Sequence, residues 1–186
     1  VLVVAFVILF QPELRRLLIY VGQTRFFQQI FRAGTPKTIT SIVEATTQLK
    51  EKGWGALIVI QRETGLRSYK DQGMQIRGEV TPSLLLSIFS PSSPLHDGAV
   101  IIQNDLIDSA ACILPLTESK MIDSEMGTRH RAAIGISEET DAIVIIVSEE
   151  KSKVSVAENG KFVKRNLRES TLEKYLNDKM FISTED

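Results

Sequence analysis

Ala56-Leu57-Ile58-Val59-Ile60 is an unbroken apolar run set between Gly53-Trp54-Gly55 and Gln61. Successive side chains of a strand point to opposite faces, so a short run with no polar residue is hidden on both sides. It predicts a central strand with a layer packed on each face, and the run 142–147 is of the same kind. Helical patterns surround these runs. Segment 38–52 carries Ile42, Val43, Thr46 and Leu49 on its inner face, and Gly53 to Gly55 end it. Segment 81–89 opens with Thr81-Pro82, a proline suited to a first helical turn, and continues through Leu84, Leu85, Leu86, Ile88 and Phe89. Segments 128–136 and 170–176 also read as helices, the latter with Ser170 as N-cap. Strands are predicted over 99–103 and 107–114, turned at Asn104-Asp105, and over 154–157 and 161–163, turned at Glu158-Asn159-Gly160. The glycine-spaced stretch 65–80 reads as short strands and turns, and 90–94 as a loop. The sum is an α/β fold, a mixed central β-sheet flanked by helices on both sides.

A chain of 186 residues holds one domain of ordinary size plus an appendage. Its net charge of −1 argues against a general nucleic-acid binder, which shows a basic face, so no nucleic-acid partner is expected. A lone cysteine, Cys112, excludes an internal disulfide and a Cys-rich zinc site; its apolar neighbours mark it as a small buried hydrophobe. The appendage lies at the N-terminus. Residues 1–10 are all apolar, and ten residues rise only about 15 Å as a helix where a membrane span needs roughly 20 residues. Arg15, Arg16, Arg25 and Arg32 follow this run rather than precede it. It is read as the end of a truncated transmembrane helix with a cytoplasmic, positively charged flank, the alternative being an ordinary buried helix. Leu14, Leu17, Leu18, Val21 and Phe26 then fit one side of a juxtamembrane amphipathic helix. Gly34-Thr35-Pro36 breaks the chain and divides it into 1–34 and 35–186.

Three constellations carry chemistry. Gly127-Thr128-Arg129-His130-Arg131 sets two guanidinium groups, an imidazole and a hydroxyl beside one another, followed by the small residues Ala132 and Ala133. A helix beginning near Thr128 presents free N–H groups and a positive dipole end to an anion. Arg129 and Arg131 are suited to forked bonds with phosphate oxygens, but two residues apart on a helix they point to different sides. One of them therefore binds phosphate while the other braces a carboxylate or an interface, unless the whole run is a solvated helix start. His96-Asp97-Gly98-Ala99 is either a turn entering a strand or a site in which Gly98 and Ala99 leave room for a base or ribose. In the second case Asp97 is a general base or a metal ligand, and His96 a metal ligand through neutral imidazole. Ser148-Glu149-Glu150 follows the strand 142–147, and ends of buried strands are where α/β sites gather. Ser148 suits a phosphate and a glutamate suits a divalent ion; a solvated acidic turn is the alternative.

No Walker-type phosphate loop, dinucleotide fingerprint or nucleophile elbow occurs. Asp97-Gly98-Ala99 followed by Arg129-His130-Arg131 resembles the paired signature of the bacterial diadenylate cyclase domain, over roughly 38–163. Phe10-Gln11-Pro12-Glu13-Leu14-Arg15-Arg16 is similar to the junction found in its membrane-anchored type. The resemblance implies a fold and a reaction: two ATP become cyclic di-3′,5′-AMP and two pyrophosphates between two domains placed face to face as a homodimer. Carried over by position, Asp97 activates the ribose 3′-hydroxyl, and Gly98 and Ala99 line the nucleotide site. Leu114 packs on adenine, with Ile113 standing where related chains often carry tyrosine. Gly127, Thr128, Arg129, Ser148 and Glu149 belong to the phosphate side, with His130 and Arg131 in the same motif as contacts or supports. His96 ligates manganese, magnesium or cobalt, with Glu149 or Glu150 near the metal. The resemblance also implies a cell-membrane location with the catalytic domain in the cytoplasm, a YbbR-domain membrane regulator and phosphoglucosamine mutase as partners.

Overall fold

A computed structural model describes residues 35–118 and 126–180; the membrane and juxtamembrane helices expected within 1–34 lie outside them. In chain order the elements are α1 (Pro36–Lys52), β1 (Ala56–Ile60), α2 (Arg67–Lys70), β2 (Met74–Glu79), α3 (Pro82–Phe89), β3 (Ala99–Gln103) and β4 (Leu106–Cys112), then α4 (Thr128–Glu139), β5 (Ile143–Val147), β6 (Val154–Glu158), β7 (Lys161–Arg165) and α5 (Glu169–Met180). The strands form one sheet in the order β2-β4-β3-β1-β5-β6-β7. Strand β1 runs parallel to β3, Ile58 opposite Val100, and antiparallel to β5, Ala56 opposite Val147. The remaining pairings are antiparallel, so the sheet is mixed as expected.

The apolar run that predicted a central strand is buried at all five positions. Its alternate residues feed two cores. Ala56, Ile58 and Ile60 pack with Ile42 and Leu49 of α1, Leu85 and Phe89 of α3, and Leu172 and Leu176 of α5. Leu57 and Val59 pack on the other face with Ala133, Ile134 and Ile136 of α4. Each fully buried Ile or Leu contributes roughly 1.5–3 kcal/mol, so the strand is held from both faces.

Several boundaries differ from expectation. Helix α1 begins at Pro36, two residues early, because Thr35 caps it: its hydroxyl accepts the Thr38 N–H at 3.4 Å. Helix α5 begins at Glu169, because the Arg168 carbonyl accepts the N–H groups of Thr171 and Leu172; Ser170 sits in the first turn and is not the N-cap. Strand β4 ends at Cys112 rather than 114, after Ala111 adopts φ +52° and the ladder with β3 slips. The stretch 65–80 holds the single turn α2 and the edge strand β2. Cys112 is 1% exposed, and burial pushes its thiol up to about 11, so it behaves as an inert hydrophobe.

Strand pairing collects the site at one end of the sheet. The starts of β1, β3 and β6 lie beside the ends of β4, β5 and β7. Residues 96–98, 113–118 and 148–153 therefore leave the sheet at the same end. Gly98 packs against backbone there: at φ +131° a Cβ would stand 2.7 Å from the Ala111 carbonyl carbon, so a side chain at this position is excluded.

Candidate functional site

Helix α4 starts without a side-chain cap. Gly127 is its N-cap residue and has no side-chain acceptor to offer; its carbonyl takes the His130 N–H at 3.1 Å, so the N–H groups of Thr128 and Arg129 and the positive dipole end are left for an anion. That helix end borders a cleft of about 580 Å³ lined by Gly127, Thr128, Arg129 and His130, by Ser148, Glu149, Glu150 and Lys151 of the β5–β6 turn, and by Lys153, Phe162 and Arg165.

Arg129 binds the motifs to one another. Its Nη1 donates to Glu149 Oε2 at 3.0 Å and its Nη2 to the His96 carbonyl at 3.5 Å, while Nε is buried without a partner among the described residues. The pair with Glu149 is partly exposed, at 25% and 61%, and adds little stability; what it fixes is the direction of the guanidinium. Ser148 is buried. Its N–H donates to the Lys153 carbonyl at 2.9 Å and its hydroxyl accepts the Lys151 N–H at 3.2 Å, which leaves the hydroxyl proton free to donate to a phosphate oxygen. His130 sets its ring edge against Phe162, centroids 5.8 Å apart. Burial holds its pKa below the ordinary histidine value, Lys151 and Arg165 push the same way, and Glu150 opposes them.

Arg131 points away from Arg129, as their spacing requires. Its Nη2 donates to the Thr117 carbonyl at 3.3 Å and its own carbonyl accepts the Thr117 N–H at 3.2 Å. The small residues after it admit the chain's own 113–118 segment: a Cβ on Gly135 would meet the Pro115 carbonyl oxygen at 2.1 Å. His96 Nδ1 lies 2.6 Å from the Ser93 carbonyl. A carbonyl only accepts, so Nδ1 carries a proton, and in the neutral ring Nε2 is the nitrogen with the lone pair. Asp97 is exposed, and its carboxylate makes no hydrogen bond among the described residues.

The structure thus joins His96, Arg129 and Glu149 by hydrogen bonds, and lines one cleft with Gly127, Thr128, Arg129, His130, Ser148, Glu149 and Glu150. Asp97 and Gly98 stand at the same end of the sheet, next to the carbonyl that Arg129 holds. Ala99 and Leu114 are core residues, 0% and 7% exposed beside Ala132 and Ala133, while Ile113 is 67% exposed.

The sequence reading passed over Gly55, Lys153, Phe162 and Arg165. A signal was present in Gly53-Trp54-Gly55: Gly53, at φ +66°, alone terminates α1, so the second glycine needs another reason. A Cβ on Gly55 would stand 2.6 Å from Arg129 Nη1 and 3.1 Å from Glu149 Oε2. Gly55→Ala is expected to displace the ends of two flexible side chains, leaving the melting temperature nearly unchanged while weakening nucleotide binding. Thermal melts alongside nucleotide titration check this, and unaltered affinity removes Gly55 from the site.

A family model for the DisA bacterial checkpoint controller nucleotide-binding domain, DAC, matches residues 43–162. The chain is 48% identical over 188 aligned positions, 98% of its own length and 67% of the other's, to the cyclic di-AMP synthase CdaA of Bacillus subtilis strain 168. It is 44% identical over 176 positions, 92% of its length and 64% of the other's, to a diadenylate cyclase of Listeria monocytogenes strain 10403S. It spans about two thirds of each of these relatives. Among solved structures it resembles a double mutant of DacA from Staphylococcus aureus, with TM-score 0.75 and 43% identity over 78% of this chain and 96% of that one. A hypothetical membrane spanning protein from Bacillus cereus aligns with TM-score 0.66 and 39% identity over 84% and 78%. With the family match covering most of the chain and close relatives along nearly all of it, the protein belongs to the DAC family of nucleotide-binding domains.

Proposed function

We propose that the chain is a diadenylate cyclase, condensing two ATP into cyclic di-3′,5′-AMP and two pyrophosphates. The observation that carries this reading is the hydrogen bond from Arg129 to the His96 carbonyl, which holds the anion-binding end of α4 beside an uncommitted carboxylate, Asp97. The names of the relatives support it. In this reading Asp97 takes the proton of a ribose 3′-hydroxyl. The freed oxygen attacks the α-phosphorus of a second ATP, one P–O bond forms and one breaks, and pyrophosphate leaves. The Arg129 guanidinium, the Thr128 and Ser148 hydroxyls and the first two N–H groups of α4 are the donors for the charge that builds on the phosphate. Two such steps close the ring, and two chains face to face supply both.

The reading includes a divalent ion. Among the described residues no cluster of three or more His, Cys, Asp and Glu stands ready to hold one. The donors fit a site completed by substrate oxygens: His96 offers Nε2, because Nδ1–H is spent on Ser93, and Glu150 is the neighbouring carboxylate not engaged by Arg129. Such an ion, manganese, magnesium or cobalt, supplies charge neutralisation on the triphosphate when bound. The partners are ATP and a second copy of the chain; the family likeness adds a YbbR-domain regulator and phosphoglucosamine mutase. A membrane location rests on the sequence of 1–34 and on the name of the B. cereus neighbour; among the described residues no helix is long and apolar enough to cross a membrane.

Incubation with ATP and each of the three metals, followed by chromatography, is expected to yield a cyclic dinucleotide with two pyrophosphates per ring. ATP left intact under every metal at high protein concentration overturns the reading.

A further inference from the structure

The motifs account for one side of the cleft and leave the other without a role. That other side is built by β6 and β7. Arg165 ends β7 opposite Ser155, and Lys153 precedes β6. Neither has a carboxylate within ion-pair distance among the described residues; the Arg165 guanidinium rests on the Phe162 ring, 4.9 Å from its centroid. Glu149 is already taken by Arg129. The cleft therefore gathers Arg129, Lys151, Lys153 and Arg165 against Glu149 and Glu150, in a chain whose net charge is −1. Gathered cations repel one another, and a multiply charged anion among them relieves that repulsion. Burial is the main cause of the depressed basicity of His130, and Lys151 and Arg165 add to it.

Position along the sheet says which part of a ligand this side meets. Ser148 leaves β5 and Arg165 ends β7, two strand steps apart or about 10 Å. A long arginine side chain and two further phosphates cover that span, with the α-phosphate at Arg129 and Ser148.

We propose that Lys153 and Arg165, the latter propped by Phe162, form the seat of the β- and γ-phosphates. Through this seat the chain selects a nucleoside triphosphate over shorter nucleotides and receives the departing pyrophosphate. The inference rests on the cyclase reading for the identity of the nucleotide, but its test does not need turnover.

Binding of inorganic pyrophosphate, AMP and 3′-deoxy-ATP, which lacks the attacking hydroxyl, is measured by titration calorimetry on the whole chain. Each lost charge-assisted contact is worth about a tenfold change in affinity. Lys153→Ala/Arg165→Ala is expected to weaken pyrophosphate and 3′-deoxy-ATP strongly and to leave AMP unchanged, with Arg165→Lys recovering part of the loss. Pyrophosphate affinity within twofold of the parent chain in the double variant overturns the proposal. So does an equal loss for all three ligands, which marks a structural role. Failure of the cyclase reading shows separately, as absence of cyclic product from the unaltered chain while these affinities still follow the predicted order.

Discussion

Asp97→Asn is expected to bind ATP as the parent chain does and to lose cyclic dinucleotide synthesis by about two to four orders of magnitude, the usual worth of a positioned general base. The substitution keeps size and shape and removes only the capacity to take a proton. Nothing in the fold depends on that carboxylate: it is exposed and makes no hydrogen bond among the described residues, so the melting temperature stays where it is. The backbone beneath it is fixed independently, by Gly98 against Ala111 and by the His96 carbonyl in the grip of Arg129. Initial rates, an ATP titration and a thermal melt on the same preparation separate the three quantities. Product formation at the parent rate removes Asp97 from the chemistry. Lost binding assigns it to substrate recognition instead.

The double-sided layering was legible because the strands that set it are apolar throughout. Ala56–Ile60 and Ile143–Val147 admit no exposed face, so the sequence itself demands helices above and below. The two tight turns were legible for a local reason: Asn104, Asp105, Asn159 and Gly160 all take positive φ, the conformation such residues tolerate. Strand β2 was blurred because it is an edge strand with mostly exposed or half-exposed residues and a bulge between Gln75 and Gly78, leaving no clean alternation to read. The start of α5 was misplaced because a serine near a helix start is an attractive cap, whereas a backbone carbonyl, here that of Arg168, leaves no mark in the sequence.

The site divided along the same line. Thr128, Arg129, Ser148 and Glu149 sit in short motifs, where neighbours in sequence are neighbours in space. Phe162 and Arg165 reach the cleft, and Gly55 reaches the Arg129 and Glu149 side chains, only through strand pairing, and no local spacing connects them to Arg129. Arg131 and Leu114 show the converse. They stand inside or beside the motifs, yet Arg131 holds the Thr117 backbone and Leu114 fills the core under α4. A motif marks a neighbourhood, and packing decides which of its members line the cleft.

The second large effect concerns the second copy of the chain that the cyclase reading requires. One chain holds one Asp97 and one α4 N-terminus, whereas a ring of two nucleotides needs two in-line attacks in opposite directions. A two-fold dimer repeats the same surface and supplies both, and orientation of this kind is worth about 7–11 kcal/mol of barrier. The rate per chain is therefore expected to fall in proportion to protein concentration once the dimer dissociates, with nucleotide binding to each chain retained. Mixing gives the sharper result. A dimer of one parent and one Asp97→Asn chain retains a single base, so it forms a single phosphodiester, releases one pyrophosphate and stops at a linear dinucleotide bearing a triphosphate. With the variant in large excess nearly every parent chain sits in such a mixed dimer, and the linear product replaces the ring. Chromatography across a series of mixing ratios reads both species. A ring yield that follows the number of parent chains at every ratio, with no linear species, means that one chain performs both attacks, and the face-to-face arrangement fails with it.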